Sequence, residues 1–130
     1  MNGFRVMVID DEKIVGQMVK ASMEQDGYTV ETFLNAKPAL DRLKEENFAV
    51  VITDLKMKGI DGMEVLRIIK SEYPQTKVIM ITAFASLDSA VEAMRGSVDA
   101  FFTKPVKIHT LKECVAKLLD PNQAAAPAPK

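Results

Sequence analysis

FAVVITDLKMKGIDGMEVLRIIKSEYPQTKVIMIT, residues 48–82, decides the fold. It opens and closes on apolar runs, FAVVIT at 48–53 and KVIMIT at 77–82, with almost no polar alternation. A strand with one wet face alternates; a strand covered on both faces does not, and parallel sheets are built from the second kind. Between the runs, Gly62, Val65, Leu66 and Ile69 recur at helical spacing. That helix is predicted to end near Tyr73-Pro74, because proline disfavours helix in the residue before it. Strand, helix and strand in this order form a βαβ unit with a right-handed crossover.

The same reading extends in both directions. FRVMVI at 4–9 is again nearly continuous, and AFFT at 100–103 is a fifth short run. YTVETF at 28–33 alternates, with Tyr28, Val30 and Phe33 set against Thr29, Glu31 and Thr32, which suits an edge strand. Helical spacing fills the other intervals: Val15, Met18, Val19 and Met23; Ala36, Ala39, Leu40 and Leu43; Leu87, Ala90, Val91 and Met94; Ile108, Leu111, Val115 and Leu118. Asn35 and Ser86 are the expected N-caps of the second and fourth helices, with Pro38 in a first turn. The eight methionines fall mostly on these apolar faces and read as core filler. The fold class is therefore α/β: a doubly wound parallel sheet of five strands alternating with five helices in a single domain. The domain is expected over 1–120, and PNQAAAPAPK at 121–130 reads as a linker or loose end.

Composition agrees and narrows the function. The 130 residues are 48% apolar and 27% charged, a globular balance for one domain. Seventeen basic and 18 acidic side chains leave a net charge of −1, so no direct nucleic-acid binding by bulk electrostatics is expected. One cysteine makes neither an internal disulfide nor a cysteine-based zinc site. The short apolar run before Asp10-Asp11 is no signal peptide, and nothing approaches the roughly 20 apolar residues of a spanning helix. The expectation is a cytoplasmic protein without membrane insertion.

In an open parallel sheet, ligands bind at the carboxyl ends of the strands. There the chain offers Asp10-Asp11-Glu12 after the first run, Asp54 after the third, Thr82-Ala83 after the fourth and Lys104-Pro105 after the fifth. A lone aspartate after a strand is usually a turn or cap residue, but this ordered set is hard to obtain by accident. Carboxylates that meet disfavour joint ionisation unless cations compensate. Lys104 supplies one charge, and oxygen donors without histidine or cysteine suit a hard ion such as Mg²⁺. Carboxylate, metal, lysine and hydroxyl together are equipped for phosphoryl transfer onto a carboxylate. Glu12 is either an acid beside the metal or simply the start of the first helix. His109 reads as a helix-surface residue and Cys114 as a partly buried small hydrophobe.

IDDE at 9–12, TDLKMKGIDGMEVL at 53–66, ITAFASLDSAVEAM at 81–94 and FFTKPV at 101–106 together resemble the receiver domains of bacterial two-component response regulators. The resemblance runs from about residue 4 to residue 119 and implies the flavodoxin-like strand order 2-1-3-4-5. It implies Asp54 as phosphoacceptor, and Asp10, Asp11, Asp54 and the backbone carbonyl of Lys56 as Mg²⁺ ligands. Thr82 and Lys104 would bind phosphoryl oxygens, and Ala83 would leave room for the donor. Phe101 matches an aromatic switch, and Pro105 a position that follows a cis peptide bond. A sensor histidine kinase is the implied donor. The implied output is an output domain or a downstream protein, with a homodimer through the fourth helix, fifth strand and fifth helix as a further partner. Such a domain assists its own phosphorylation and dephosphorylation and turns over no separate substrate. Lys58 replaces a usual proline, so the loop beside Asp54 is expected to be less rigid, and Ser97 replaces a frequent glycine, so the turn before the fifth strand is expected to be adjusted. Two alternatives stand beside this reading. A phosphatase with an aspartyl nucleophile would need an Asp-x-Asp pair, where the chain has Asp54-Leu55-Lys56. A phosphate-independent interaction module would not need the full site.

Overall fold

In a computed structural model describing residues 3–83 and 85–120, strands and helices alternate without interruption. The order is β1 (Arg5–Ile9), α1 (Lys13–Glu24), β2 (Thr29–Phe33), α2 (Ala36–Leu43), β3 (Val50–Asp54), α3 (Gly62–Glu72), β4 (Lys77–Thr82), α4 (Leu87–Arg95), β5 (Ala100–Thr103) and α5 (Ile108–Leu119). All strand pairs are parallel, and the sheet order is β2-β1-β3-β4-β5. The expected linker at 121–130 lies outside the described residues. Among the described residues, no helix is long and apolar enough to cross a membrane.

The continuous apolar runs are explained by two cores, one on each face of the sheet. Successive strand residues point to opposite faces. Met7, Ile9, Val51, Val78 and Met80 pack under α2, α3 and α4, while Val6, Val8, Val50, Ile52, Ile79 and Ile81 pack under α1 and α5. β2 pairs on one side only, and there Val30 is buried while Thr29 and Thr32 are exposed.

Some local expectations are revised. Ser86 caps α4 as expected, accepting from Ser89 N at 3.1 Å while Ser89 Oγ accepts from Ser86 N at 2.9 Å. Asn35 occupies the N-cap position of α2 in extended conformation, but its side chain makes no cap hydrogen bond. On α4 the predicted stripe faces solvent: Leu87 is 79% and Met94 70% exposed, and only Ala93 of this helix is buried. Met18 is likewise exposed, so the core methionines are Met7, Met23, Met63 and Met80. Ser97 takes the left-handed conformation at φ 69°, the adjustment expected where a glycine is absent.

Glu31 ties the edge strand to its neighbours. Its carboxylate accepts from Arg42 Nε at 2.8 Å and from Arg5 Nη1 at 3.0 Å, joining β2 to α2 and β1. Hydrogen bonds from Arg42, working against the cost of burial, hold the carboxyl below the ordinary glutamate value of 4.5. A depressed carboxyl contributes stability that is present above the unfolded value and lost as pH falls through the folded one. Glu31→Gln is therefore expected to unfold at a lower urea concentration than wild type at pH 7. The gap should close as pH falls below 4.5; a gap that stays constant down to the acid limb would contradict this.

Candidate functional site

The carboxyl ends of the parallel strands share one edge of the sheet. Asp10 follows β1, Asp54 closes β3, Thr82 closes β4 and Lys104 follows β5. Where they meet, the Lys104 ammonium lies 3.0 Å from Asp10 Oδ2, 3.0 Å from Asp54 Oδ2 and 2.6 Å from Glu12 Oε1. The two aspartates are 4% and 5% exposed, so this is a buried charge cluster and not a surface ion pair. Each is also fixed by the chain that follows it: Asp10 Oδ1 accepts from Glu12 N at 2.8 Å and Asp54 Oδ1 from Lys56 N at 3.2 Å. Such short-range bonds from aspartate to the backbone two residues on stabilise a turn and aim the free carboxylate oxygen.

Lys104 is aimed by its own backbone. Its N–H donates to the Thr82 carbonyl at 2.9 Å, extending the β4–β5 pairing by one step. Pro105 follows a cis peptide bond, as the resemblance implied. Burial disfavours the Lys104 ammonium, yet hydrogen bonds to Glu12, Asp10 and Asp54 outweigh that cost and hold its pKa above the usual lysine range. Asp10 goes the other way. Burial pushes its carboxyl up, and the Glu12 N–H and Lys104 offset this only in part, with Asp54 adding to the rise. The lysine is thus firmly charged, while Asp10 is left short of positive charge.

The loop between β3 and α3 presses closely on the site. Gly62 N donates to the Leu55 carbonyl at 2.8 Å, and a Cβ at Gly62 would stand 2.3 Å from Asp54 O. Only glycine permits that approach. Asp61 then caps α3, accepting from Glu64 N at 3.1 Å.

The other expected residues fall as follows. Thr82 is fully buried at the end of β4, and Ala83 is exposed just beyond it. Phe101 is half-buried and packs against the core beneath α2, α3 and α4. The side chains of Lys56 and Lys58 are exposed. Asp11, expected beside Asp10 as a ligand, is exposed and stands outside the acid cluster. Glu12 joins that cluster: oxygens of Asp10, Glu12 and Asp54 lie within 4.8 Å of one another. The sequence left the role of Glu12 open because its position, one residue before α1, fits a cap equally well. Close packing at Gly62 had no signal beyond the residue type.

The donor chemistry suits a hard cation. The cluster offers carboxylate oxygens alone, and a cationic ammonium already sits among them. The single histidine, His109, is exposed on α5 opposite Glu113, and Cys114 packs into the core under α1 and α5. Carboxylate oxygens without histidine or cysteine are the donors a hard cation prefers.

Comparison with known proteins agrees with this geometry. The family model of the response regulator receiver domain matches residues 6–116. The response regulator protein PilR of Pseudomonas aeruginosa is 31% identical over 130 residues, an alignment covering 98% of this chain and 29% of PilR. A CheY-like receiver domain protein from Methanospirillum hungatei superposes with a TM-score of 0.89 at 29% identity, covering 95% of this chain and 98% of that one. The response regulator TrrA of Thermotoga maritima, solved in complex with Mg²⁺ and BeF, gives a TM-score of 0.80 at 32% identity over 89% of this chain and 99% of that one. The chain spans less than a third of the length of PilR. With its strand order and its acids and lysine gathered at one sheet edge, the chain belongs to the response regulator receiver domains, the phosphorylation-controlled switches of two-component systems.

Proposed function

We propose that Asp54 accepts a phosphoryl group from the phosphohistidine of a sensor kinase, and that the resulting charge switches the exposed face formed by α4, β5 and α5. The observation that carries this reading is the Lys104 ammonium held at 3.0 Å from a buried Asp54 oxygen, beside a second buried carboxylate. That arrangement places a cation where charge on a transferring phosphoryl group would develop.

A carboxylate oxygen of Asp54 attacks phosphorus. The P–N bond of the donor breaks, and its electron pair leaves with the imidazole, which takes up a proton from solvent. Asp10, Asp11, Asp54 and the Lys56 carbonyl would hold Mg²⁺, which when bound neutralises charge on the phosphoryl oxygens. Lys104 pairs with one phosphoryl oxygen, and the Thr82 hydroxyl donates to another. Ala83, with its small side chain at the exposed end of β4, leaves space for the donor. As Thr82 is drawn in, Phe101 turns inward from its half-buried position. The change is a population shift between two packings, biased by phosphate contacts present in only one.

The apolar stripe Leu87, Val91 and Met94 on α4 supports the choice of output face. Exposed apolar surface at helical spacing suits a protein partner: an output domain, a downstream protein or a second receiver. The domain assists its own phosphorylation and dephosphorylation and processes no other substrate.

Intact-mass spectrometry after incubation with acetyl phosphate tests the reading, run with Mg²⁺, with EDTA and on Asp54→Asn. One phosphoryl group should be gained by wild type with Mg²⁺, and none in the other two samples. A gain that persists in Asp54→Asn would overturn the assignment. A folded wild type that gains nothing from acetyl phosphate or from a phosphorylated kinase would favour a phosphate-independent interaction module.

A further inference from the structure

A lysine ammonium has three N–H bonds to donate and accepts none. In Lys104 three carboxylates take them, at 3.0 Å from Asp10, 3.0 Å from Asp54 and 2.6 Å from Glu12. A phosphoryl group on Asp54 brings new acceptors that compete for these three bonds, and esterification weakens the Asp54 carboxylate's own hold on the lysine. The three are unequal. The carboxylates of Asp10 and Asp54 are 3% and 6% exposed and are each held by a backbone N–H, whereas the Glu12 side chain is 59% exposed. Glu12 stands at the N-cap of α1 without making a side-chain cap bond, and among the described residues its carboxylate is bonded to Lys104 alone. Water can replace that bond at Glu12 without leaving a buried group unpaired, which is not so for Asp10.

We infer that Glu12 is a releasable counter-ion: it holds Lys104 while Asp54 is unmodified and cedes the lysine to a phosphoryl oxygen, thereby setting how tightly the site retains a phosphoryl group. This deepens the phosphoacceptor reading and rests on it. The Glu12–Lys104 bond stabilises only the unmodified state, so it lowers affinity for a phosphoryl group by the strength of that bond. Glu12 is a positioning residue acting through Lys104, and it has no contact with phosphorus in this account. The opposing possibility is that Glu12 helps to hold the metal, since its oxygen lies within 4.8 Å of those of Asp10 and Asp54. The two roles predict opposite signs.

The test is a beryllofluoride titration of the full chain at saturating Mg²⁺, read from the amide resonances of Thr82 and Phe101. Glu12→Gln removes the charge at constant size and should bind the phosphoryl mimic about threefold to tenfold more tightly, the range of one partly exposed charged hydrogen bond. Glu12→Asp keeps the charge but is one methylene shorter, loses the bond to Lys104, and should also bind more tightly. Glu12→Gln binding equally or more weakly overturns the inference, in the weaker case in favour of a metal-holding role. Tighter binding by Glu12→Gln with Glu12→Asp at the wild-type value also overturns it, because simple repulsion of the anion then suffices. A wild type that does not respond to beryllofluoride overturns the phosphoacceptor reading and this inference with it, an outcome distinct from a failure of the Glu12 variants alone.

Discussion

Without Mg²⁺ at pH 7, Lys104→Met is expected to be less stable than wild type by about 3 kcal/mol, the cost of removing one partner from a buried charge cluster. Asp10 and Asp54 are 4% and 5% exposed, so neither carboxylate can recover in water what it loses with the ammonium. Each keeps one backbone N–H, from Glu12 and Lys56, which satisfies one oxygen and leaves the other facing a like charge. Methionine preserves most of the aliphatic stem, so the loss reports charge more than packing. The pH dependence follows from the sign of the shift. Burial already raises the Asp10 carboxyl above its ordinary value of 3.8, and loss of the lysine raises it further. A carboxyl with a raised folded pKa costs stability when ionised, and that cost vanishes as pH falls through the folded value. The deficit of Lys104→Met should therefore be full at neutral pH and shrink on acidification. Added Mg²⁺ should restore part of it at pH 7 by replacing the missing positive charge. Urea midpoints at two pH values, each with and without Mg²⁺, provide the check; equal midpoints for variant and wild type at pH 7 would remove the cluster from any structural role.

Gly62→Ala should lose phosphoryl acceptance on the order of a hundredfold, the effect of misplacing a reacting atom by about 1 Å. The added Cβ would meet Asp54 O at 2.3 Å and Leu55 Cα at 2.8 Å. Both are backbone atoms, so no rotamer change relieves the clash and the turn between β3 and α3 must open. That turn is closed by the bond from Gly62 N to Leu55 O, and it carries the Lys56 N–H that holds Asp54 Oδ1. Stability should fall as well, by roughly 3 kcal/mol, the upper end for overpacking. Gly96→Ala is the control. Its Cβ would meet Leu66 Cδ2 at 2.8 Å, the far end of a flexible side chain at a distance from the site. It should destabilise mildly and accept phosphoryl at the wild-type rate. The measurement is the initial rate of mass gain with acetyl phosphate, at a temperature where circular dichroism shows both variants folded. A wild-type rate in Gly62→Ala would falsify the account of how Asp54 is positioned.

Much of this architecture was legible in the chain because each strand of the sheet interior is apolar on both faces. Val6 and Val8 belong to one core and Met7 and Ile9 to the other, so the run reads as continuous although the side chains alternate. The site was legible for a related reason: parallel strands send every carboxyl end to one edge, so Asp10, Asp54, Thr82 and Lys104 could be brought together before any contact was known. Helix α4 marks where that reasoning stops. Leu87, Val91 and Met94 share a face, as their spacing requires, but the face is turned to solvent and Ala93 is the buried contact. Periodicity tells which residues lie together on a helix, whereas coverage depends on what the rest of the chain brings against it.

The sequence by itself determined the five alternating strands and helices, their parallel direction and the edge where the chemistry gathers, because these follow from local periodicity and the handedness of βαβ connections. Only the tertiary structure decided that Glu12, and not Asp11, closes the ring around Lys104, that Asn35 leaves its cap bond unmade, and that Gly62 touches the backbone of Asp54. Those outcomes are set by ångström-scale distances between segments far apart in the chain, and a pattern of residue types carries no information at that resolution.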